Sequence, residues 1–531
     1  MAVKQLLSQL WESSFTPLCY LVPTVTVALV AYYAVDLYRN RDRSGVPVVG
    51  WISPIQPRVT ALWYIFKQKT LLDEAYEKYL KHGDPCRIPD FVFGPSLVLL
   101  PLSELKWVIS QPPTVLDYMF TQDDLVRTSE VLFDGDNPYN KGEFMALGFP
   151  ALWLSKRFSG PKNVLYRTVQ DCVGRAWGSD TEQWRVVNPT DTVFDAVKQV
   201  CYAAFLGYEN SYCPEVWEMG QQLADGLFIA DYQARCVPKF LRWQALWVTA
   251  WKVRRLHARF RKWLGLVIAR RVEVLAAGLA GVTDEEYNVE EPSLLDTLIL
   301  EGMGKKEKPG QSFPPIVHER ILRLITGLIF SATQTTSIIG SRTIDLLVRD
   351  ASEEFHRDTI TKNSLHHLST LDSALRESMR LYPFENTTPI RSLVVDQAFD
   401  LNGTKYVVKA GDRISFASVS VMSDPDIFEN PTEFDAFRFA KMQQQQQQNG
   451  VDDGRHAYAA LGYEYLAWGH GKTACPGRQM ASDILKLMLA EMFLRYEMKP
   501  EKEGSSMPAT RIGPFLPPDR SRNFFVRRRN E

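Results

Sequence analysis

Residues Trp468-Gly-His-Gly-Lys-Thr-Ala-Cys475-Pro-Gly-Arg478 set one cysteine between a glycine-rich turn and the start of a helix. Gly469, Gly471 and Gly477 allow the backbone positive φ and let a flat ligand approach closely. Pro476 suits the first turn of a helix predicted over Gln479 to Tyr496, a run rich in Ala, Leu and Met. A thiolate at that point feels the positive end of the helix and its aligned N–H groups, which would lower its pKa. The alternative is a buried, inert cysteine in a turn. Such a cysteine has no use for the spacing aromatic-x-x-Gly-x-x-x-Cys-x-Gly that Trp468, Gly471, Cys475 and Gly477 make.

Moving outward, the longest helical pattern runs from Ile316 to Val348. Its centre reads Phe330-Ser-Ala-Thr-Gln-Thr335-Thr-Ser, small and hydroxyl residues where a buried helix normally carries large apolar ones. Close packing on a neighbouring helix is one reading. A bulge that seats a small diatomic ligand is the other. Leu371 to Pro383 is a helix closed by proline, and Glu377 and Arg380, three apart, share one face. Phe434-Asp-Ala-Phe-Arg438-Phe and Pro389-Ile-Arg391 follow.

Taken in order, these motifs resemble those of the cytochromes P-450. The Cys475 loop resembles the family's haem-thiolate loop, with Trp468 where Phe is usual, and this implies a haem b whose iron Cys475 ligates. Ser331, Ala332 and Thr335 fall on the oxygen-binding helix. There Ser331 and Ala332 take the small positions, and Thr335 supplies the hydroxyl that steadies bound oxygen and relays protons. Gln334 stands where the family usually has an acid. An amide cannot donate a proton and reload as a carboxylate does, so delivery would run through water and Thr335. Glu377, Arg380 and Arg438 match the family's buried structural network, which holds the site without catalysing. Arg391 stands where an arginine often meets a haem propionate, and Lys472 is a second candidate cation, with Thr473 where relatives carry His or Arg.

The 531 residues suit one large enzyme domain with appendages, and 45% hydrophobic with 23% charged residues are ordinary globular values. A net charge of −1 gives no reason to expect nucleic acid as a partner. The seven cysteines are scattered, with no CxxC and no Cys/His cluster, so neither a disulfide framework nor a zinc site is indicated.

Residues 1–14 form a lumenal N-terminus in this reading. Residues 15–35 carry no charge, and as a helix they span about 31 Å, enough for a hydrocarbon core of about 30 Å. Tyr32, Tyr33 and Tyr38 would sit at the interface, and Arg39, Arg41 and Arg43 belong on the cytosolic side. A cleaved signal peptide is the rival, against which stand the length of the run and the basic residues after it. Residues 36–60 read as a basic and proline-rich linker, stiff rather than a strand at Gly45 to Gly50. Residues 61–531 are the catalytic domain.

Within it, helical spacing from Ala61 to Lys81 ends at Gly83, Ser96 to Pro101 is a strand candidate, and 110–150 reads as long and irregular. Trp243, Trp247 and Trp251 precede a helix carrying Lys252, Arg254, Arg255, Arg259 and Arg261. That stretch is either a core stripe with a solvated basic face or a second membrane contact. Residues 280–314 read as a surface excursion, and the polyglutamine at 443–450 as a disordered surface insert.

The expected fold is mainly α with a small β region, the cytochrome P-450 fold, after one N-terminal transmembrane helix. The expected function is monooxygenation of a small apolar substrate, terpenoid-like by resemblance to fungal ent-kaurene-oxidase-like enzymes. NADPH would supply electrons through a separate reductase, with cytochrome b-five as a further partner, since no dinucleotide fingerprint occurs here. The resemblance also implies an endoplasmic reticulum membrane protein facing the cytosol. Two other readings stay open: a haem-thiolate isomerase, dehydratase or peroxide-using enzyme, and a non-catalytic haem-binding membrane protein.

Overall fold

The computed structural model describes residues 45–52, 61–91, 96–118, 131–132, 162–237, 241–279, 292–303, 315–349, 366–450, 454–502 and 520–530. The expected anchor at 15–35, its basic flank and most of 110–150 lie outside them.

The N-terminal part holds α1 (Gln68–Lys78), β1 (Cys86–Pro89), β2 (Ser96–Leu99), α2 (Leu105–Ser110) and β3 (Leu116–Asp117). A helical stretch follows: α3 (Lys162–Trp177), β4 (Arg185–Val187), α4 (Pro189–Leu206), α5 (Pro214–Arg235), α6 (Arg242–Thr249), α7 (Trp251–Leu279), α8 (Leu294–Met303), α9 (Pro315–Arg349) and α10 (His366–Leu381). Then come β5 (Arg391–Leu393), β6 (Gln397–Leu401), β7 (Thr404–Val408), β8 (Arg413–Ser415) and α11 (Ser418–Val421). The chain closes with α12 (Arg438–Gln448), α13 (Arg478–Arg495), β9 (Tyr496–Pro500) and β10 (Phe524–Arg528).

The main core lies among α3, α4, α7, α8, α9, α10 and α13. Helix α4 begins where the Asn188 side chain accepts a hydrogen bond from the Asp191 N–H, with Pro189 as its first residue. From there to Leu206 almost every side chain is buried: Thr190, Thr192, Lys198 and Gln199 go in with the apolar residues, and only Asp191 and Asp195 stay exposed. Helix α9, 35 residues long, passes beside it. Gly340 makes their contact possible: a Cβ there would lie 2.6 Å from Leu485 Cδ2 on α13 and 3.0 Å from Val193 Cγ1 on α4. Small sheets flank the bundle, in the orders β1-β2-β8-β5-β3 and β4-β10-β9, with β6 and β7 as a separate hairpin.

Three expectations need correction. The proline-rich stretch is not purely linker: the Val49 N–H donates to the Arg87 carbonyl at 2.8 Å and the Arg87 N–H to the Pro47 carbonyl at 2.8 Å. Proline keeps its acceptor, so Pro47 can serve one rung at a sheet edge beside β1. The excursion at 280–314 contains α8, whose Leu294, Leu295 and Ile299 are fully buried. The polyglutamine is helical through Gln448, continuing from the buried Arg438 and Phe439. Glutamine is a good helix former, and no glycine or proline interrupts the run before Gly450.

Candidate active site

Helix α9 is α-helical throughout, without the expected bulge. Its mid-helix hydroxyls turn back onto the helix. Ser331 Oγ donates to the Gly327 carbonyl and Thr335 Oγ1 to the Ser331 carbonyl, both at 2.8 Å. Thr333 and Ser337 bond back four residues in the same way. Such i−4 bonds satisfy a mid-helix hydroxyl without breaking the backbone ladder. Ser331 is nevertheless exposed, and Ala332 and Thr335 are partly so, in the middle of a helix otherwise largely enclosed. That face of α9 therefore borders open space. Gln334 points elsewhere: its Nε2 donates to Gln221 Oε1 on α5 at 2.8 Å.

Helices α9 and α13 cross at Gly340 and Leu485. Running back from the crossing, Thr335 lies about 7.5 Å along α9, and the first residue of α13, Arg478, lies about 10.5 Å along the other axis, with Cys475 three residues before it. The Cys475 loop is closed tightly. Its N–H donates to the Trp468 carbonyl at 2.9 Å, and the Gly469 N–H donates to the Leu466 carbonyl at 2.8 Å. Trp468 is buried, its Nε1 donates to the Tyr458 carbonyl at 2.7 Å, and its ring meets that of Tyr458 edge-on at 5.2 Å. Gly469 and Gly471 do adopt positive φ, +68° and +71°, and a Cβ on Gly471 would lie 3.0 Å from that of Ile109. Gly477 differs. It caps α13 with φ −85°, and a Cβ there would meet nothing within 4 Å.

Burial pushes the Cys475 thiol above its usual pKa, contrary to the expected lowering. Hydrogen bonds from the Gly477 and Arg478 N–H groups and the Arg478 charge pull the other way without prevailing. Desolvation outweighs the helix start here, and a coordinated metal ion is what deprotonates a buried thiol outright.

The buried network is closed. Arg380 Nε and Nη2 donate to the two Glu377 oxygens at 2.8 Å each, and Arg438 Nε donates to Glu377 Oε1 at 3.0 Å. Arg380 Nη1 also reaches the Met422 carbonyl at 2.6 Å. Glu377 and Arg380 are fully buried, and Arg438 nearly so.

Arg391 is 4% exposed and, among the described residues, has no carboxylate partner. Its Nη1 donates to the Ile390 carbonyl at 2.7 Å, its Nη2 to Thr473 Oγ1, and its guanidinium lies 4.8 Å from the Tyr118 ring centre. Burial lowers its pKa to about 10. A buried, uncompensated guanidinium suits an anionic group such as a haem propionate. Lys472 is exposed, on the 3₁₀ turn Gly471–Thr473, and is not brought to Arg391. Thr473, at first sight a departure, is the residue that orients Arg391.

Glu385 went unnoticed in the sequence. It sits between α10 and β5, partly exposed, desolvation raises its pKa to about 7, and its charge helps to raise that of the Cys475 thiol. No spacing or periodicity marks it.

Comparison with known proteins agrees with this arrangement. A family model for cytochrome P450 matches residues 163–520, more than half of the chain. The cytochrome P-450 monooxygenase fumoB of Cordyceps fumosorosea is 24% identical over 472 residues, covering 85% of this chain and 82% of the relative. The monooxygenase astC of Aspergillus terreus is 22% identical, covering 98% and 99%. Among solved structures, the cytochrome P-450DA haem domain superposes with a TM-score of 0.62 at 14% identity, covering 91% of this chain and 97% of that one. The helical bundle, its small sheets and the cysteine loop thus come together, and this chain belongs to the cytochrome P-450 family of haem-thiolate monooxygenases.

Proposed function

We propose that Cys475 ligates the iron of haem b and that the enzyme oxidises an apolar secondary metabolite, terpenoid-like or similar. The observation that carries the ligand assignment is the placement of Cys475 at the head of α13, bonded by the Gly477 and Arg478 N–H groups. Haem bound there supplies the reductive activation of O₂ and oxygen insertion into a C–H bond.

The chain's own residues do the rest. Arg391, set by Thr473 and the Ile390 carbonyl, would hold a haem propionate. Trp468, Gly469 and Gly471 fix the loop so that the sulfur has one position. The Thr335 hydroxyl keeps its proton on the Ser331 carbonyl and its lone pairs free, so it can accept a proton and pass its own on. Gln334 cannot supply that proton itself.

Electrons reach the site from NADPH through a separate reductase, with cytochrome b-five as an accessory. Residues 15–35 anchor the chain in the endoplasmic reticulum membrane, and the 36–60 linker holds 61–531 on the cytosolic side. No helix among the described residues is long and apolar enough to cross a membrane, and 15–35 lies outside them. The side-chain pattern of α6 and α7 supports a second membrane contact. Leu246, Ala250 and Val253 face inward, while Trp243, Trp247 and Trp251 are 57%, 64% and 55% exposed beside Lys252 and Arg255. Exposed tryptophans next to cations suit a lipid interface.

Full-length protein in microsomes with a P-450 reductase, NADPH and a panel of terpenoids tests the reading. The expected result is substrate-stimulated NADPH use and an oxygenated product that vanish without the reductase. Product formation that needs no reductase would contradict it.

A further inference from the structure

The turn between α10 and β5 carries a carboxyl group that the rest of the protein leaves unanswered. Among the described residues Glu385 has no hydrogen-bond or ion-pair partner, and desolvation is the one cause that raises its pKa to about 7. Two residues on, Thr387 is fully buried and its Oγ1 is without a partner as well. Glu385 nevertheless stays partly exposed. A group that is desolvated and still keeps accessible surface borders an enclosed space rather than bulk water.

Its neighbours in the chain say which space. On one side Phe384 packs against the pair Phe194 and Ile338, and Ile338 lies one turn beyond Thr335 on α9. On the other, a Cβ on Gly469 would lie 3.8 Å from Thr388 Oγ1, and Arg391 reaches Thr473 of the cysteine loop. The Glu385 charge is also felt at Cys475. Glu385 thus stands between the Thr335 turn of α9 and the cysteine loop, beside the space that haem and substrate would share. The turn is pinned there. Asn386 Nδ2 donates to Gln68 Oε1 at 2.9 Å, and the Asn386 carbonyl accepts from Ser418 Oγ at 2.8 Å and from the Val419 N–H at 3.1 Å.

Haem would not answer this charge. Its propionates are anionic and suit Arg391, on which desolvation acts first and, of charged groups, Tyr118 alone. No carboxylate steadies that guanidinium, so Glu385 lies away from the propionate end. Water would solvate the carboxylate and leave its charge uncompensated. A ligand that brings a cation in with an apolar body compensates it, and a protonated amine adds N–H donors to the charge.

We propose that Glu385 is a specificity-determining residue of the substrate site, and that the substrate is an apolar skeleton with one basic nitrogen, whose ammonium group pairs with the Glu385 carboxylate. This rests on the haem-thiolate reading of Cys475 and narrows its substrate class. A lone buried carboxylate destabilises the empty enzyme, and the bound cation removes that cost. Pairing also fixes one end of the ligand. The oxidised carbon is then set by its distance from the nitrogen rather than by C–H reactivity alone.

The test uses the full-length holoenzyme and two probes of one shape: the phenylbutyl-trimethylammonium ion and the hydrocarbon in which carbon replaces its nitrogen. The quaternary nitrogen has no lone pair, so it cannot ligate iron. Binding to wild type and to Glu385→Gln is read by equilibrium dialysis and by the Soret shift, with the carbon monoxide difference spectrum of each as the check on haem. Should Glu385→Gln not load haem, Glu385→Leu takes its place. The preference for the cation over the hydrocarbon is expected to be about tenfold greater in wild type than in the variant. An equal preference in the two proteins, or no binding of the cation to wild type, overturns the proposal while the haem-thiolate reading stands. A wild type that binds haem without a thiolate-type band removes that reading and the proposal with it.

Discussion

Replacing Glu377 with Gln removes one negative charge from a cluster that holds two arginines out of water. Glu377 accepts three hydrogen bonds from Arg380 and Arg438, at 2.8, 2.8 and 3.0 Å, and neither Glu377 nor Arg380 has any measurable exposure. Met422 and the other carbonyl partners satisfy individual N–H groups but carry no compensating charge. Leaving a buried charge unpaired costs about 3–5 kcal/mol. That is roughly a 150- to 5,000-fold rise in the unfolded fraction at 1.36 kcal/mol per decade. With an unfolding entropy of about 2.1 cal/mol/K per residue, a chain of about 500 residues would lose on the order of 3–5 °C in Tm. Scanning calorimetry of the holoprotein, wild type against Glu377→Gln at pH 7, is the assay. A shift below about 1 °C would refute the reasoning, because it would mean that the arginines find other counter-charge or water.

Three further outcomes follow from burial and packing. The Glu385 pKa of about 7 lies above its ordinary 4.5, so the folded state binds the proton more tightly and stability falls as pH rises through that window. Glu385→Gln should therefore gain about 2–3 kcal/mol on wild type between pH 5 and pH 8 in denaturant titrations, and a pH-independent gap would contradict this. Gly340→Ala forces a Cβ to 2.6 Å from Leu485 and should lower stability by about 1–3 kcal/mol despite alanine's better helix propensity; an unchanged Tm would show that α13 can yield. Gly174→Ala, in the last turn of α3 with nothing within 4 Å, should instead gain about 0.5–1 kcal/mol by the same measurement.

The motif-bearing elements were legible from sequence because each has a local cause. Proline and glycine punctuate them, and a long helical pattern such as Ile316 to Val348 admits few alternatives. The pairing of Glu377 with Arg438, 61 positions apart, came only from family resemblance. What stayed hidden depends on tertiary context. Gln334 turns to Gln221 because α5 happens to lie there, 113 positions away in the chain. Thr473 matters only because Arg391 comes within reach of its hydroxyl. Burial, not the helix start, decides the direction in which the Cys475 thiol shifts, and burial cannot be read from a loop's own residues. The polyglutamine was misread because composition argues against packing but not against helix, and a helix already nucleated at Arg438 extends through it.

The central claim is that Cys475 is the haem ligand. The reduced carbon monoxide difference spectrum of membranes carrying wild type or Cys475→Ala tests it most directly. The expected result is a red-shifted thiolate-type Soret band in wild type that is absent from the variant. A wild type that binds haem without that band, or a Cys475→Ala variant that keeps it, would contradict the assignment.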